Sequence, residues 1–94
     1  MPRLEFDAVK NGTNVRKHGI SLERFGDMDF DAALVAEDVA HSTPTETRWI
    51  YLGSIDGVLH VGIVTYRGNL TRVISLRRAS RNERKRYEQA HRRP

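Results

Sequence analysis

Apolar and polar positions along the chain predict a helical N-terminal part, a run of strands and a polar C-terminal helix. Four segments alternate or run apolar over the length of a strand. The predicted strands are Ala33–Asp38, Arg48–Ile55, Val58–Arg67 and Leu70–Arg77. The third of these is apolar at odd and even positions alike, so we expect it to be the central strand, covered on both faces.

Two turn signals predict how these strands connect. Asp56-Gly57 separates the second strand from the third, and Gly68-Asn69 separates the third from the fourth. Both pairs suit the positive-φ turns that close β-hairpins. We therefore predict an antiparallel sheet of about four strands with meander topology.

Capping signals delimit the N-terminal elements. Arg3–Phe6 is predicted as a short strand, and Asp7 as the cap of a helix that continues to about His18. Gly19 supplies the positive φ with which such a helix ends. A second short helix is predicted to begin at its cap, Ser21, and to run to about Asp27.

A capping box opens the last element. Ser80 and Glu83 have the spacing at which each side chain binds the other residue's backbone amide. The helix that follows offers only Tyr87 and Ala90 as apolar contacts, so its basic face is left for a polyanion or a partner. Residues 91–94 are expected to fray. The predicted fold class is thus α+β.

Length and composition narrow the class of protein further. The 94 residues suit one domain, spanning 1–94, and the absence of cysteine excludes disulfides and thiolate zinc sites. No long apolar run and no signal-peptide pattern occur, so we expect a cytoplasmic protein with no membrane contact. No two of the four histidines have metal-ligand spacing, so we expect no metal and no cofactor. These histidines are His18, His41, His60 and His91.

Charge is distributed unevenly along the chain. Residues 1–66 carry six Lys or Arg against ten Asp or Glu, whereas residues 67–94 carry ten against two. Concentrated positive charge attracts phosphates because their neutralisation releases condensed counterions. RNA is therefore a candidate partner, although a solvated basic helix has the same composition.

Motifs in the same order and spacing as those of a known family extend over roughly residues 4–88. The opening matches an F/W-D-x-x-K-x-x-x-N-x-x-K-H-G pattern, and a later strand end matches I-S-x-R-R-A. The matching segments are Phe6–Ser21, Glu46–Arg48, Val64–Gly68, Arg72–Ala79 and Glu83–Tyr87. The chain resembles the BrnT-like ribonuclease toxins of type II toxin-antitoxin systems.

This resemblance implies several properties. The fold is expected to be RelE-like, and the activity that of a ribonuclease toxin that inhibits translation and growth. The implied partner is a ribbon-helix-helix antitoxin, BrnA-like, in a heterotetramer. Promoter DNA is expected to bind only through the antitoxin complex.

Metal-independent RNA cleavage uses the ribose 2′-OH as nucleophile, so arginines that neutralise the phosphoryl charge are the first candidates. Arg77 and Arg78 end a strand and should point to opposite faces. Strand alternation places Arg77 with Val73 and Ser75, and Arg78 with Arg72, Ile74 and Leu76. A salt bridge to Glu46 or Glu83 is the structural alternative for either arginine.

Four polar residues of the first helix fall along one stripe, at i, i+4, i+7 and i+8. Lys10 and Asn14 are predicted to contact RNA, and Lys17 to stabilise the transition state. His18 is the only histidine inside a matching motif, and imidazoles suit acid-base catalysis near neutral pH. The alternative for His18 is a cap on helix carbonyls. The other three histidines are interpreted as incidental.

Further candidates come from the sheet and the last helix. Glu46 is a candidate base beside Arg48, with an ordinary surface ion pair as the alternative. Arg67 is a candidate for a third catalytic cation, with a solvated position at the rim of the hairpin as the alternative. Arg48, Arg81 and Tyr87 are predicted to bind substrate, and for Tyr87 the favoured alternative is to anchor the last helix to the sheet.

Two other classes of protein fit the same basic surface. One is a nucleic-acid-binding regulator without catalysis, and the other is an interaction module for an acidic partner. The two adjacent arginines at a strand end favour the ribonuclease, because a docking surface does not need them clustered there.

Overall fold

The computed structural model describes residues 3–92 and confirms the α+β class. No helix within that range is long and apolar enough to cross a membrane. Of the predicted frayed end, His91 is the last residue of the final helix. Residues 93 and 94 lie outside the described residues. The elements in order are β1 (Arg3–Glu5), α1 (Ala8–His18), a 3₁₀ helix (Leu22–Asp27), β2 (Leu34–Glu37), β3 (Arg48–Ile55), β4 (Val58–Arg67), β5 (Leu70–Arg78) and α2 (Arg81–His91).

The strands form one five-stranded sheet in the order β1-β5-β4-β3-β2. The antiparallel meander from β2 to β5 is confirmed, and β4 is the central strand of the whole sheet as predicted. The predicted count of about four strands is wrong, because β1 adds to the sheet, parallel to β5. This pairing joins residues far apart in the chain, and Arg72 secures it through an ion pair to Glu5 at 3.1 Å.

The ends of α1 follow the predicted capping. The Asp7 carboxylate accepts hydrogen bonds from the backbone amides of Val9 and Lys10, at 2.8 and 3.1 Å. Gly19 ends the helix with a φ of 70°, a conformation that glycine adopts without strain. Both termini of α1 are therefore determined by local chemistry.

The second helix departs from the prediction. It is a 3₁₀ helix, and Ser21 makes no side-chain cap on it. The Ser21 hydroxyl instead donates to Asn11 Oδ1 at 3.2 Å, and the same oxygen accepts the Leu22 amide at 2.7 Å. A side chain of α1 thus caps this helix, which ties the two helical segments together.

The β3–β4 hairpin and the helix α2 form as their sequence signals predict. Asp56 and Gly57 have positive φ values of 51° and 78° at the β3–β4 turn. Ser80 and Glu83 form the complete capping box of α2, which has no buried residue. The last helix therefore lies on the sheet with most of its surface exposed.

Apolar side chains pack on both faces of the sheet. On one face, here called the helix face, residues of the 3₁₀ helix pack against β3, β4 and β5, with a buried cluster of Leu22, Phe25, Met28, Ile55, Val64, Val73 and Leu76. The opposite face, here called the open face, carries a smaller cluster of Leu52, Val61 and Ala79, which Tyr87 of α2 contacts. The smaller cluster leaves part of the open face without a helix over it.

Candidate functional site

One edge of the sheet is only partly covered by a strand. The strand β1 pairs with Leu70–Arg72, and beyond that point α1 lies alongside β5. Asn14 joins α1 to this edge: its Nδ2 donates to the Leu76 carbonyl at 2.8 Å, and its Oδ1 accepts the Leu76 amide at 3.2 Å. Nδ2 also donates to the Ile20 carbonyl at 2.9 Å. Asn14 is only 6% exposed, and its side-chain amide thus makes the two hydrogen bonds to Leu76 that the backbone of a neighbouring strand would make.

A β-bulge in β5 decides which side chains share a face. Ile63 of β4 pairs with Ser75, but the next residue, Val64, pairs with Val73, so Ile74 is the extra residue. Arg78 therefore shares the helix face with Val73 and Leu76, and Arg77 shares the open face with Ser75 and Arg72. The prediction that Arg77 shares a face with Val73, and Arg78 with Arg72, is wrong because strict alternation does not survive a bulge.

Arg77 lies on the open face in a cleft of about 350 Å³. Its guanidinium forms a two-fold pair with Glu83, with Nη1 to Oε1 at 2.7 Å and Nη2 to Oε2 at 3.0 Å. This pair is the salt bridge that the sequence offers as the structural alternative, and it lowers the pKa of Glu83 to about 2 and raises the pKa of Arg77. The Arg77 side chain remains 40% exposed. It is therefore a permanently charged, oriented cation at the cleft wall.

Arg48 enters the same cleft from β3. Its Nε donates to Glu46 Oε1 at 3.1 Å, and Arg67 Nη2 donates to the other oxygen at 3.4 Å. The two arginines, Arg48 first, lower the pKa of Glu46. Because two cations share this carboxylate, it is a weaker proton acceptor. The lowered pKa therefore argues against Glu46 as the catalytic base.

Arg78 lies in a separate cleft of about 380 Å³ on the helix face. His18 and His60 line it too, together with Arg24 and Asp56, which form an ion pair. His60 is 6% exposed, and its Nδ1 bonds the Val58 carbonyl at 2.7 Å. The two adjacent arginines thus serve different surfaces of the molecule.

A third depression, of about 220 Å³, lies between α1 and the edge of β5. It brings together the whole predicted stripe of α1, namely Lys10, Asn14, Lys17 and His18. Ile74 and Ser75 line both this depression and the Arg77 cleft, so the two are adjoining parts of one surface. We call this combined surface the β5 groove. His18 also lines the Arg78 cleft, which places it at the border between the two sites.

Two candidates lie on α2. Arg81 is the first residue of the helix and is exposed. Tyr87 packs against the cluster of the open face and stacks on His91 with ring centroids 4.0 Å apart. Neither residue lines a cleft described above.

Sequence reasoning missed one pair of residues in the β5 groove. His41, interpreted as incidental, lines the Arg77 cleft with its Nδ1 at 3.0 and 3.1 Å from the two carboxylate oxygens of Asp38. An acidic residue three positions before a histidine was the available signal. Within residues 3–92 no group of three or more His, Asp or Glu side chains is arranged to hold a metal ion.

Comparison with known proteins adds a family relationship. Residues 6–83 match the family model described as the ribonuclease toxin, BrnT, of type II toxin-antitoxin systems. No curated protein matches the chain. The matched range contains α1, the whole meander and the capping box, and thus both walls of the β5 groove.

Proposed function

The chain belongs to the BrnT family of ribonuclease toxins, and from this premise we propose that it is an endoribonuclease that cuts RNA without a metal ion. The ribose 2′-OH attacks the adjacent phosphorus and the bond to the 5′ oxygen breaks. The products are a 2′,3′-cyclic phosphate and a 5′-hydroxyl end. Cleavage of cellular RNA by this route inhibits translation and growth.

The observation that carries the proposal is the convergence of cations in the β5 groove. Arg48 and Arg77 line one part of the groove, and Lys10 and Lys17 line the other. These side chains come from α1, β3 and β5, which are distant in sequence. A phosphodiester chain lying along β5 contacts cations on both sides, which is the main requirement for stabilising a more negative transition state.

The candidate residues take the following roles. Arg77 and Arg48 bind the phosphate at the cleavage point, since guanidinium groups pair two oxygens at once. Lys10 and Lys17 hold the flanking phosphates, and His18 acts as acid or base at the end of α1. Arg67 and Glu46 line a separate depression, joined to the groove by the ion pair between Glu46 and Arg48, so they act on the site through Arg48. Arg78 with His18 forms the alternative centre on the helix face.

An antitoxin completes the proposed system. A BrnA-like ribbon-helix-helix protein neutralises the toxin by covering the cationic surface, in a heterotetramer that binds promoter DNA. The basic exposed helix α2, with Arg81 at its start, is available for RNA or for this partner. The same proposal includes a fold similar to that of RelE-like toxins.

The test is incubation of the purified, antitoxin-free protein with RNA in excess EDTA, followed by end-group analysis. We expect cyclic phosphate ends, and a loss of cleavage in Arg77→Ala by about 100-fold or more. Arg78→Ala shows which centre is used, and Arg3→Ala, an exposed arginine of β1 that lines none of these clefts, is the control. RNA that is bound but left intact by a folded wild-type chain would establish the non-catalytic regulator instead.

A further inference from the structure

The geometry points to His41 as the general base of this ribonuclease, with Asp38 as the residue that positions it. The inference rests on the proposed function and names a proton acceptor that neither the family match nor the sequence motifs supply. Three observations carry it: the pair itself, the hydrogen bonds that fix its loop and the side chains that surround the imidazole.

The pair has the geometry of an oriented imidazole. Both oxygens of Asp38 lie within 3.1 Å of His41 Nδ1. A carboxylate at this distance only accepts, so Nδ1 carries the proton and Nε2 carries the free lone pair. The Asp38 side chain is 10% exposed and that of His41 is 69% exposed. A largely buried carboxylate thus holds an imidazole that is itself mostly exposed, as in hydrolases with an Asp-His pair.

Hydrogen bonds fix the loop that carries the pair to β3. The Asp38 amide donates to the Arg48 carbonyl at 2.7 Å, and the Arg48 amide donates to Ser42 Oγ at 2.9 Å. Ser42 Oγ in turn donates to the Asp38 carbonyl at 2.8 Å. The position of His41 relative to Arg48 is therefore set by hydrogen bonds from Asp38 on one side and from Ser42 on the other. Such fixed placement is what a catalytic group requires.

The surroundings of His41 match the substrate of the proposed reaction. Its cleft is also lined by Arg48, Arg77 and Ser75. The charged groups that face the imidazole are Asp38 and the two arginines, and behind the arginines stand Glu46 and Glu83. A phosphodiester whose free oxygens pair with the guanidinium groups places its ribose beside the imidazole.

His41 Nε2 takes the proton of the 2′-OH while the 2′ oxygen forms its bond to phosphorus and the bond from phosphorus to the 5′ oxygen breaks. The leaving 5′ oxygen takes a proton from water, and the imidazolium returns its proton to the resulting hydroxide. Asp38 stabilises the imidazolium in between. No metal, oxidant or further reactant enters.

The test compares His41→Gln and Asp38→Asn with His91→Gln as the matched control, in EDTA, on a short RNA oligonucleotide. We expect kcat to fall about 100-fold or more in His41→Gln and about 10-fold in Asp38→Asn. His91→Gln keeps the wild-type kcat. Affinity for a 2′-O-methyl oligonucleotide, which cannot react, stays within about threefold in all three variants, since a base removed from a binding-competent site changes kcat rather than binding.

Two readouts separate catalysis from a structural role. Wild-type kcat/KM is expected to rise with pH through the range of about 5 to 8 in which imidazoles lose their proton, and His41→Gln loses this rise. Added imidazole restores cleavage in His41→Ala, because free imidazole fills the vacated space. Should His41→Gln fail to fold, Asp38→Asn and the imidazole rescue decide the question.

The outcomes for the two proposals are distinct. If wild-type protein cleaves RNA and His41→Gln keeps kcat within about threefold, the role of His41 is overturned and the ribonuclease proposal stands. If the pH-dependent rise disappears in His18→Gln and persists in His41→Gln, the base is His18. If folded wild-type protein leaves RNA intact, both proposals fail together.

Discussion

Single residues show how one contact serves both fold and site. Glu83 caps α2 by accepting the Ser80 amide at 2.7 Å and, with the same carboxylate, holds the Arg77 guanidinium. Orienting Arg77 therefore depends on the first turn of a helix that itself lines no part of the β5 groove. Asn14 likewise has its amide engaged by backbone groups of Leu76 and Ile20, which fixes α1 beside β5. These contacts position the cations without touching a substrate.

The pKa of Glu83 yields a prediction for stability against pH. In the folded chain the pKa is lowered from about 4.5 to about 2, so the ionised carboxylate stabilises the folded state above the unfolded value. This contribution is present at neutral pH and is lost as pH falls through about 2. Glu83→Gln is expected to reduce the free energy of unfolding by about 1 kcal/mol at pH 7, and by progressively less from pH 5 to pH 2.

Urea titrations at several pH values measure this difference. Glu88→Gln, on the exposed surface of the same helix, is the control and should show no pH-dependent difference from wild type. A Glu83→Gln effect that is equally large at pH 7 and pH 2 would contradict the ionic origin of the contribution.

At the scale of elements, the 3₁₀ helix packs on the sheet through one close approach. The ring of Phe25 lies against Gly62 of β4, where an added Cβ would come within 2.6 Å of the ring. Phe25 also packs edge-to-face against Phe30 and Tyr51, with both centroid distances 5.3 Å. Only glycine allows this contact, because the ring is held on its other sides by aromatic neighbours.

Two glycine substitutions of opposite expected sign test this packing. Gly62→Ala should reduce the free energy of unfolding by about 1–3 kcal/mol, since the ring has to move. Gly12→Ala, inside α1, places its Cβ 3.5 Å from Arg16 Nη1, an ordinary contact, and should increase stability by about 0.5–1 kcal/mol, because glycine weakens a helix. Urea unfolding measures both. Equal effects of the two substitutions would contradict the close-approach argument.

At the scale of the whole molecule, cations from the acidic and the basic parts of the chain meet on one surface. The basic C-terminal part of the chain supplies Arg77 through β5, and the acidic N-terminal part supplies Lys10, Lys17 and Arg48 to the same groove. The net charge of each segment therefore underestimates the number of cations in the β5 groove. The sheet brings together cations that lie far apart in the sequence.

This arrangement predicts the salt dependence of RNA binding. Affinity for a 2′-O-methyl oligonucleotide should fall with salt, and Lys10→Ala and Lys17→Ala should each reduce the slope of log affinity against log salt by about 0.7. Arg3→Ala, on β1 outside the groove, is the control. Fluorescence anisotropy over a range of salt concentrations measures the slopes. Unchanged slopes in both groove variants would place the bound phosphates elsewhere.

Elements whose signals are local could be predicted from the amino-acid sequence. The Asp56-Gly57 turn, the Asp7 and Gly19 caps and the Ser80–Glu83 capping box each depend on residues a few positions apart, so they could be predicted with their bounds. The family motifs also named both arginines at the end of β5. Neighbouring residues carry this information without reference to the rest of the chain.

Tertiary structure alone decided the site. The bulge at Ile74 assigned the adjacent arginines to opposite faces, and the parallel pairing of β1 left the rest of β5 beside α1. The meeting of His41, Arg48 and Arg77 joins three strands or loops. No periodicity records these contacts, because they depend on sheet register and on packing between distant segments, which the whole chain determines at once.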